Sequence, residues 1–170
     1  MIESLFTVNA GIIDVPGIDN EKLADEILLN PKRKTDDVTS TQFEDTILNV
    51  RRGSESQKLI EYIINYGKDH DLSLHSYWSQ IHHYLESTDL HQHGHVDFSW
   101  VYYVKVPENS GKLVLYFNEN DERAPKYIME PKESRLIIFP SYIKHKVTKH
   151  MNQDVRISIS GDYLLINKQS

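Results

Sequence analysis

Between Leu72 and Ile166 the chain breaks into short runs rich in β-branched and aromatic residues at near-regular spacing: "LHSYWSQIHHYL", "FSWVYYVKV", "KLVLYF", "KYIM", "RLIIF", "IKHKVT" and "VRISISGDYLLI". Residues of this kind suit a pleated, half-buried surface, and turn signals such as "PENSG" separate several of the runs. The pattern upstream is different. "SLFTVNAGIIDV" reads as a strand ending at Pro16–Gly17. "DNEKLADEILLN" reads as a helix capped by Asp19 or Asn20, stopped by Pro31, with Leu23, Ala24, Ile27 and Leu28 on its apolar face. Ser54-x-x-Gln57 forms a capping box for a second helix, in which Leu59, Ile60, Ile63 and Ile64 make one stripe and Gly67 is the natural stop. Two helices followed by about seven strands predict a mainly β chain, an antiparallel sandwich or barrel with the helices packed on one outer face. The polar, turn-rich segment 31–53 reads as a long loop or a partly ordered insert, and its length and polarity make it a candidate lid.

Composition narrows the function classes. A length of 170 residues predicts one domain over 1–170, with a core over about 72–166 and helical support over about 1–71. A hydrophobic share of 39% against 26% charged, with a mean hydropathy of -0.53, is that of a soluble globular protein. The sequence has no apolar run long enough to cross a membrane, and "MIESLFTVNAG" lacks the basic start and apolar centre of a signal peptide, so the expected location is cytoplasmic. A net charge of -6 argues against a nonspecific grip on nucleic acid, and "KRK" at 32–34 reads as a solvated loop. With no cysteine, disulfides, thiolate metal sites and cysteine nucleophiles are excluded, and any metal must be held by His, Asp, Glu or water.

The nine histidines then sort into two groups. His70, His75, His82, His83 and His150 read as surface or strand residues. His91, His93 and His95 lie in "HQHGHVD", where alternation in an extended chain points all three rings to one face, as a metal requires. His145 follows in "FPSYIKHKV", and Arg156 lies eleven residues later in "RISIS". On residue types alone, His95-Val-Asp97 is the obvious His-x-Asp pair, which His145 would complete to two histidines and a carboxylate. Strand phase weighs against it. Asp97, Ser99, Val101 and Tyr103 share one face of "DFSWVYYV", and six residues at ~3.3 Å each put Asp97 some 20 Å from Tyr103.

A histidine cluster beside a carboxylate, a distant histidine on a later strand, then an arginine and a serine two residues apart on the last strand is a recognisable order. It resembles the Fe(II)/2-oxoglutarate-dependent oxygenases, and most closely the family found in phages and bacteria. The motifs that carry the resemblance are Trp78, His91, His93, "SWVYYV" at 99–104, "SGKL" at 110–113, "FPS" at 139–141, "HKV" at 145–147 and "RISIS" at 156–160. Together they cover roughly residues 76–162. Trp100 stands where glycine is usual, a departure expected to narrow or reshape the pocket.

The resemblance implies a double-stranded β-helix of the jelly-roll or cupin type, with the N-terminal helices on one sheet. It implies Fe(II) as cofactor, with 2-oxoglutarate and dioxygen as cosubstrates and a prime substrate that the sequence does not name. The metal-ligand candidates are His91, His93, Asp97 and His145, of which His93 and His145 lead. His95 is placed on the substrate side or behind the ligands. Arg156 and Ser158 would hold the far carboxylate of 2-oxoglutarate, and Tyr103 would line its pocket. A facial set of three protein ligands leaves positions open for a keto acid and dioxygen, and guanidinium offers a bidentate partner that is always charged. With a turn near Met151–Gln153, His145 and Arg156 are expected diagonally on adjacent strands, roughly 7 to 8 Å apart. Trp100, Tyr102 and Tyr142 are candidates for the pocket or its rim. The implied reaction is oxidative decarboxylation of 2-oxoglutarate to succinate and carbon dioxide, coupled to oxidation of a substrate C–H bond. Two other classes fit parts of the pattern: a cupin-like metal barrel that does not use 2-oxoglutarate, and a noncatalytic binding or accessory module on this fold.

Overall fold

The computed structural model describes residues 7–29, 33–34, 39–42, 52–118 and 125–166. After a short first strand β1 (Gly11–Asp14), α1 (Asn20–Leu29) starts at Asp19, whose carboxylate accepts the Lys22 amide at 3.2 Å. It buries Leu23, Ala24 and Ile27. In α2 (Glu55–Asp69) Ser54 is the N-cap and its hydroxyl accepts the Gln57 amide, while Gln57 Oε1 accepts the amide of Gly53. The two helices are tied end to side by Glu26, whose carboxylate accepts the amides of Glu55 and Ser56 at 2.8 and 2.9 Å. That places a negative charge on the donor-rich start of α2. Gly67 does not end the helix, which runs on to Asp69 and is capped at His70. Gly67 is a close-packing position instead, since a Cβ there would lie 2.9 Å from the Leu72 carbonyl and 3.0 Å from the Tyr163 ring.

The remaining strands are β2 (Arg33–Lys34), β3 (Thr39–Gln42), β4 (Leu72–His82), β5 (Thr88–His91), β6 (Phe98–Lys105), β7 (Leu113–Tyr116), β8 (Lys126–Met129), β9 (Arg135–Pro140), β10 (Lys144–Val147) and β11 (Arg156–Leu165). They form a seven-stranded sheet in the order β1-β9-β6-β11-β4-β3-β2 and a four-stranded sheet in the order β5-β10-β7-β8, with antiparallel pairing. Part of the segment read as a long loop or partly ordered insert is therefore two short paired strands, of which Thr39–Gln42 pairs with Ile81–Trp78 and widens the large sheet. The rest of 31–53, up to Arg51, lies outside the described residues, and with it most of the candidate lid.

The large sheet has two apolar faces, and strand alternation assigns them. Trp100, Tyr102, Val104, Ile157 and Ile159 pack with the helices, whereas Val101 and Tyr103 pack with Leu113, Leu115 and Phe139 between the sheets. Tyr102 is thus not a pocket residue, whereas Trp100 packs in the helix-side cluster and also borders the cleft between the sheets. The Tyr102 hydroxyl reaches Asn20 at the start of α1 at 2.8 Å, and Tyr142 is 63% exposed. The expected pairing of His145 with Arg156 also fails, because β10 belongs to the small sheet and β11 to the large one. The segment between them changes sheets, so the two residues face each other across the sandwich, where sheets pack ~10 Å apart, rather than along one ladder.

Trp100 in place of glycine has a counterpart. It pairs with Gly161 on β11, where a Cβ would lie 2.4 Å from the indole and 2.4 Å from the Ser76 carbonyl. Gly161→Ala is therefore expected to destabilise the chain by about 3 kcal/mol, since neither a buried indole nor a strand carbonyl can retreat cheaply. Urea denaturation checks it, and a midpoint equal to the parent's would show that this packing is loose.

Candidate metal centre and anion pocket

The inner face of the large sheet carries a polar row. On β11, Arg156, Ser158, Ser160 and Asp162 alternate inward, opposite His82, Gln80, Trp78 and Ser76 of β4. On the other side Ser158, Ser160 and Asp162 meet Tyr103, Val101 and Ser99 of β6. The row is a gradient, with a buried cation at the Arg156 end and a buried carboxylate at the Asp162 end, and the small sheet lays three histidines over it.

His91 closes β5 and sits directly opposite His145 of β10. His93 lies beyond the strand end, held by its backbone amide on the Ser141 carbonyl at 3.1 Å. One ring nitrogen from each of His91, His93 and His145 can be chosen so that all lie within 4.8 Å of one another. The Nδ1 atoms are already committed to oxygen acceptors: His91 to the Asp89 carbonyl at 2.7 Å, His93 to Asp162 Oδ1 at 2.6 Å, and His145 to the Ile143 carbonyl at 2.9 Å. A ring that donates from Nδ1 carries its lone pair on Nε2, so the three rings share the tautomer that ligates through Nε2. Burial lowers the His145 pKa to about 4, which keeps that ring neutral and ready to ligate at pH 7.

His95 and Asp97 lie elsewhere. His95 is exposed with a φ of 66°, so the turn at Gly94–His95 ends the extended alternation before the third ring can join the other two. Asp97 precedes β6, its Oδ2 accepts the Leu165 amide at 2.7 Å, and its backbone bonds Tyr163 and Ser141. It ties the start of β6 to β11 and does not reach the histidines. Phase along "DFSWVYYV" holds only inside the strand, from Phe98 onward. The carboxylate at the cluster is Asp162, which strand phase from Arg156 and Ser158 points to but which no motif singles out.

The other end is a candidate anion pocket. Arg156 is 1% exposed, and no carboxylate pairs with it among the described residues. One terminal nitrogen donates to His82 Nδ1 at 3.2 Å and to Ser158 Oγ at 3.1 Å. The guanidinium lies 5.3 Å from the Tyr103 ring centre, and neither Arg156 Nε nor the Tyr103 hydroxyl has a hydrogen-bond partner among the described residues. His82, a buried strand residue at the end of β4, lies against this guanidinium. Because arginine only donates, His82 Nδ1 must accept, and Nε2 then donates to Thr88 Oγ1 at 2.9 Å. Burial first, and then the neighbouring Arg156 charge, lowers the His82 pKa to about 2. A cation taken out of water without a counter-ion costs several kcal/mol, so an anion with oxygen acceptors would suit this pocket.

The residues present fit both groups that the sequence resemblance implies: three clustered imidazoles for a divalent cation, and a buried guanidinium whose Nε has no partner among the described residues for a carboxylate. Residues 76–162, just over half the chain, match the family described as "Putative 2OG-Fe(II) oxygenase". No curated protein matches the sequence. Among solved structures, an oxidoreductase of the 2OG-Fe(II) oxygenase family from Burkholderia pseudomallei aligns with a TM-score of 0.70 at 11% identity, over 91% of this chain and 84% of that one. A Pseudomonas putida prolyl-4-hydroxylase aligns at 0.64 and 14% identity, over 93% of each chain. The epimerase SnoN from nogalamycin biosynthesis, solved with Fe3+, α-ketoglutarate and nogalamycin RO, aligns at 0.67 and 12% identity, over 91% of this chain and 78% of that one. At these identities the likeness is one of fold, the double-stranded β-helix. With the family match across its whole core, the chain belongs to the 2OG-Fe(II) oxygenases, a family that uses Fe(II) and 2-oxoglutarate.

Proposed function

We propose that the protein is a hydroxylase that couples oxidative decarboxylation of 2-oxoglutarate to oxidation of a substrate C–H bond. The observation that carries the reading is the fully buried Arg156, unpaired by any carboxylate among the described residues, in the same cleft as His91, His93 and His145. Bound Fe(II) and 2-oxoglutarate would supply the oxidising chemistry, releasing succinate and carbon dioxide. The chain's own residues bind and orient. His91, His93 and His145 would hold the metal through Nε2, three protein ligands that would leave positions open for cosubstrates. Arg156 takes the far carboxylate, helped by the hydroxyls of Ser158 and Tyr103, and His82 holds the guanidinium against the floor of the pocket. Val101, Leu113 and Phe139 pack around this end and keep water from the ion pair.

The test is anaerobic titration with Fe(II) and 2-oxoglutarate, followed by admission of dioxygen. The expected result is a visible metal-to-ligand charge-transfer band that needs both additions, then succinate release. Iron binding with no band and no succinate would sink the proposal and leave a cupin-like metal barrel that does not use a keto acid. A band without succinate would indicate a binding module on this fold.

A further inference from the structure

Resting on the metal reading above, we infer that Asp162 is the positioning residue of the metal centre. It acts through His93 and supplies from behind the ring the negative charge that an all-histidine face lacks. Asp162 is 6% exposed and receives three donors: His93 Nδ1 at 2.6 Å and Ser99 Oγ at 2.9 Å on Oδ1, and Ser76 Oγ at 3.1 Å on Oδ2. No lysine or arginine pairs with it among the described residues. A buried carboxylate with hydroxyl and imidazole donors but no cation of its own is the mirror image of Arg156 at the other end of the same strand.

The three histidines are not equivalent in this respect. His91 and His145 donate to neutral backbone carbonyls, whereas His93 donates to a carboxylate. An imidazole whose N–H is held by a carboxylate is a stronger base at its other nitrogen and is locked in orientation, and removing such a partner typically lowers metal affinity 10- to 100-fold. Ser99 also lies 3.0 Å from His93 Nδ1, so Ser99 and Ser76 hold the carboxylate in place for the ring. Charge closes the argument. A divalent cation, Arg156 and Asp162 together carry two positive charges, which a dianionic keto acid neutralises. A metal-bound carboxylate would give the same net charge.

The test uses Co(II), which does not oxidise in air, on the full chain and its Asp162→Asn and Asp162→Ala variants. A second readout is the 15N NMR tautomer of His93 in the metal-free protein. Asp162→Asn keeps an acceptor oxygen but loses the charge, so it is expected to keep the Nδ1–H tautomer and bind Co(II) about 10-fold more weakly. Asp162→Ala loses both, and should show mixed tautomers and binding about 100-fold weaker. Thermal melting controls for folding, and the near-isosteric Asn variant decides the matter if the Ala variant unfolds. Tight Co(II) binding by the parent, matched within twofold by both variants, would overturn the role of Asp162 alone. No Co(II) binding by the parent would overturn the metal reading and this inference with it.

Discussion

Arg156→Met is expected to weaken 2-oxoglutarate binding by about 100-fold or more while leaving Fe(II) binding intact and the melting temperature equal or higher. The first part follows from removing one partner of a desolvated, hydrogen-bonded charge pair, which costs 2–5 kcal/mol or more, and every ~1.4 kcal/mol is a factor of ten. The second part follows from the state of the side chain without its ligand. Arg156 is 1% exposed with only neutral partners, His82 and Ser158. An arginine kept for structure would sit in a buried ion pair, and losing it would cost about 3–5 kcal/mol. An arginine kept for an incoming anion is a standing cost to the ligand-free fold. Methionine of similar length removes that cost, offset in part by the His82 Nδ1 left without its donor. Anaerobic calorimetric titration and thermal melting read the two halves. A variant that melts far below the parent and still binds 2-oxoglutarate would assign Arg156 to the scaffold.

Acidification should begin to destabilise the metal-free protein below pH 6.5, before its carboxylates titrate. His145 is held down to about 4 and His82 to about 2, both chiefly by burial, against a free value of 6.5. The folded state therefore binds fewer protons than the unfolded one below pH 6.5. The stability these two rings contribute is complete above that pH and is lost as pH falls, through about 4 for His145 and lower for His82. Each lost proton is worth about 1.4 kcal/mol per pH unit, so together they remove up to about 5 kcal/mol between pH 6.5 and 4.5. That is as much as the whole stability of a marginal domain. Urea midpoints of the metal-free protein at pH 7.5, 5.5 and 4.5 measure the slope, and His145→Gln should roughly halve it. A midpoint flat from pH 7.5 to 5 would mean that the rings reach water.

Much of this molecule is legible along the chain. The capping signals at Asp19 and Ser54, the strand runs after Leu72 and the inward phase of Arg156 and Ser158 are local features, set by a side chain's own preference and by period-2 alternation. The residues that motif spacing marks for the metal, His91, His93 and His145, do come within reach of one another. The sequence also places Trp100 opposite nothing in particular. Only the β6–β11 register reveals Gly161 beneath it and shows what the indole packs against.

By itself, then, the sequence determined the class of fold, the family and the residue types at the site. The tertiary structure alone decided that His145 and Arg156 lie on opposite sheets, that His95 turns out to solvent and that Asp97 ties strands together. It also decided that Asp162 is the carboxylate beside the histidines and that His82 links Arg156 to Thr88. The reason is the range of the forces involved. Alternation tells which face a side chain takes within one strand, but it does not pass through a turn such as Gly94–His95. Nor can it say which distant strand supplies the facing residue, because that choice is made by burial and hydrogen bonding across the whole sandwich.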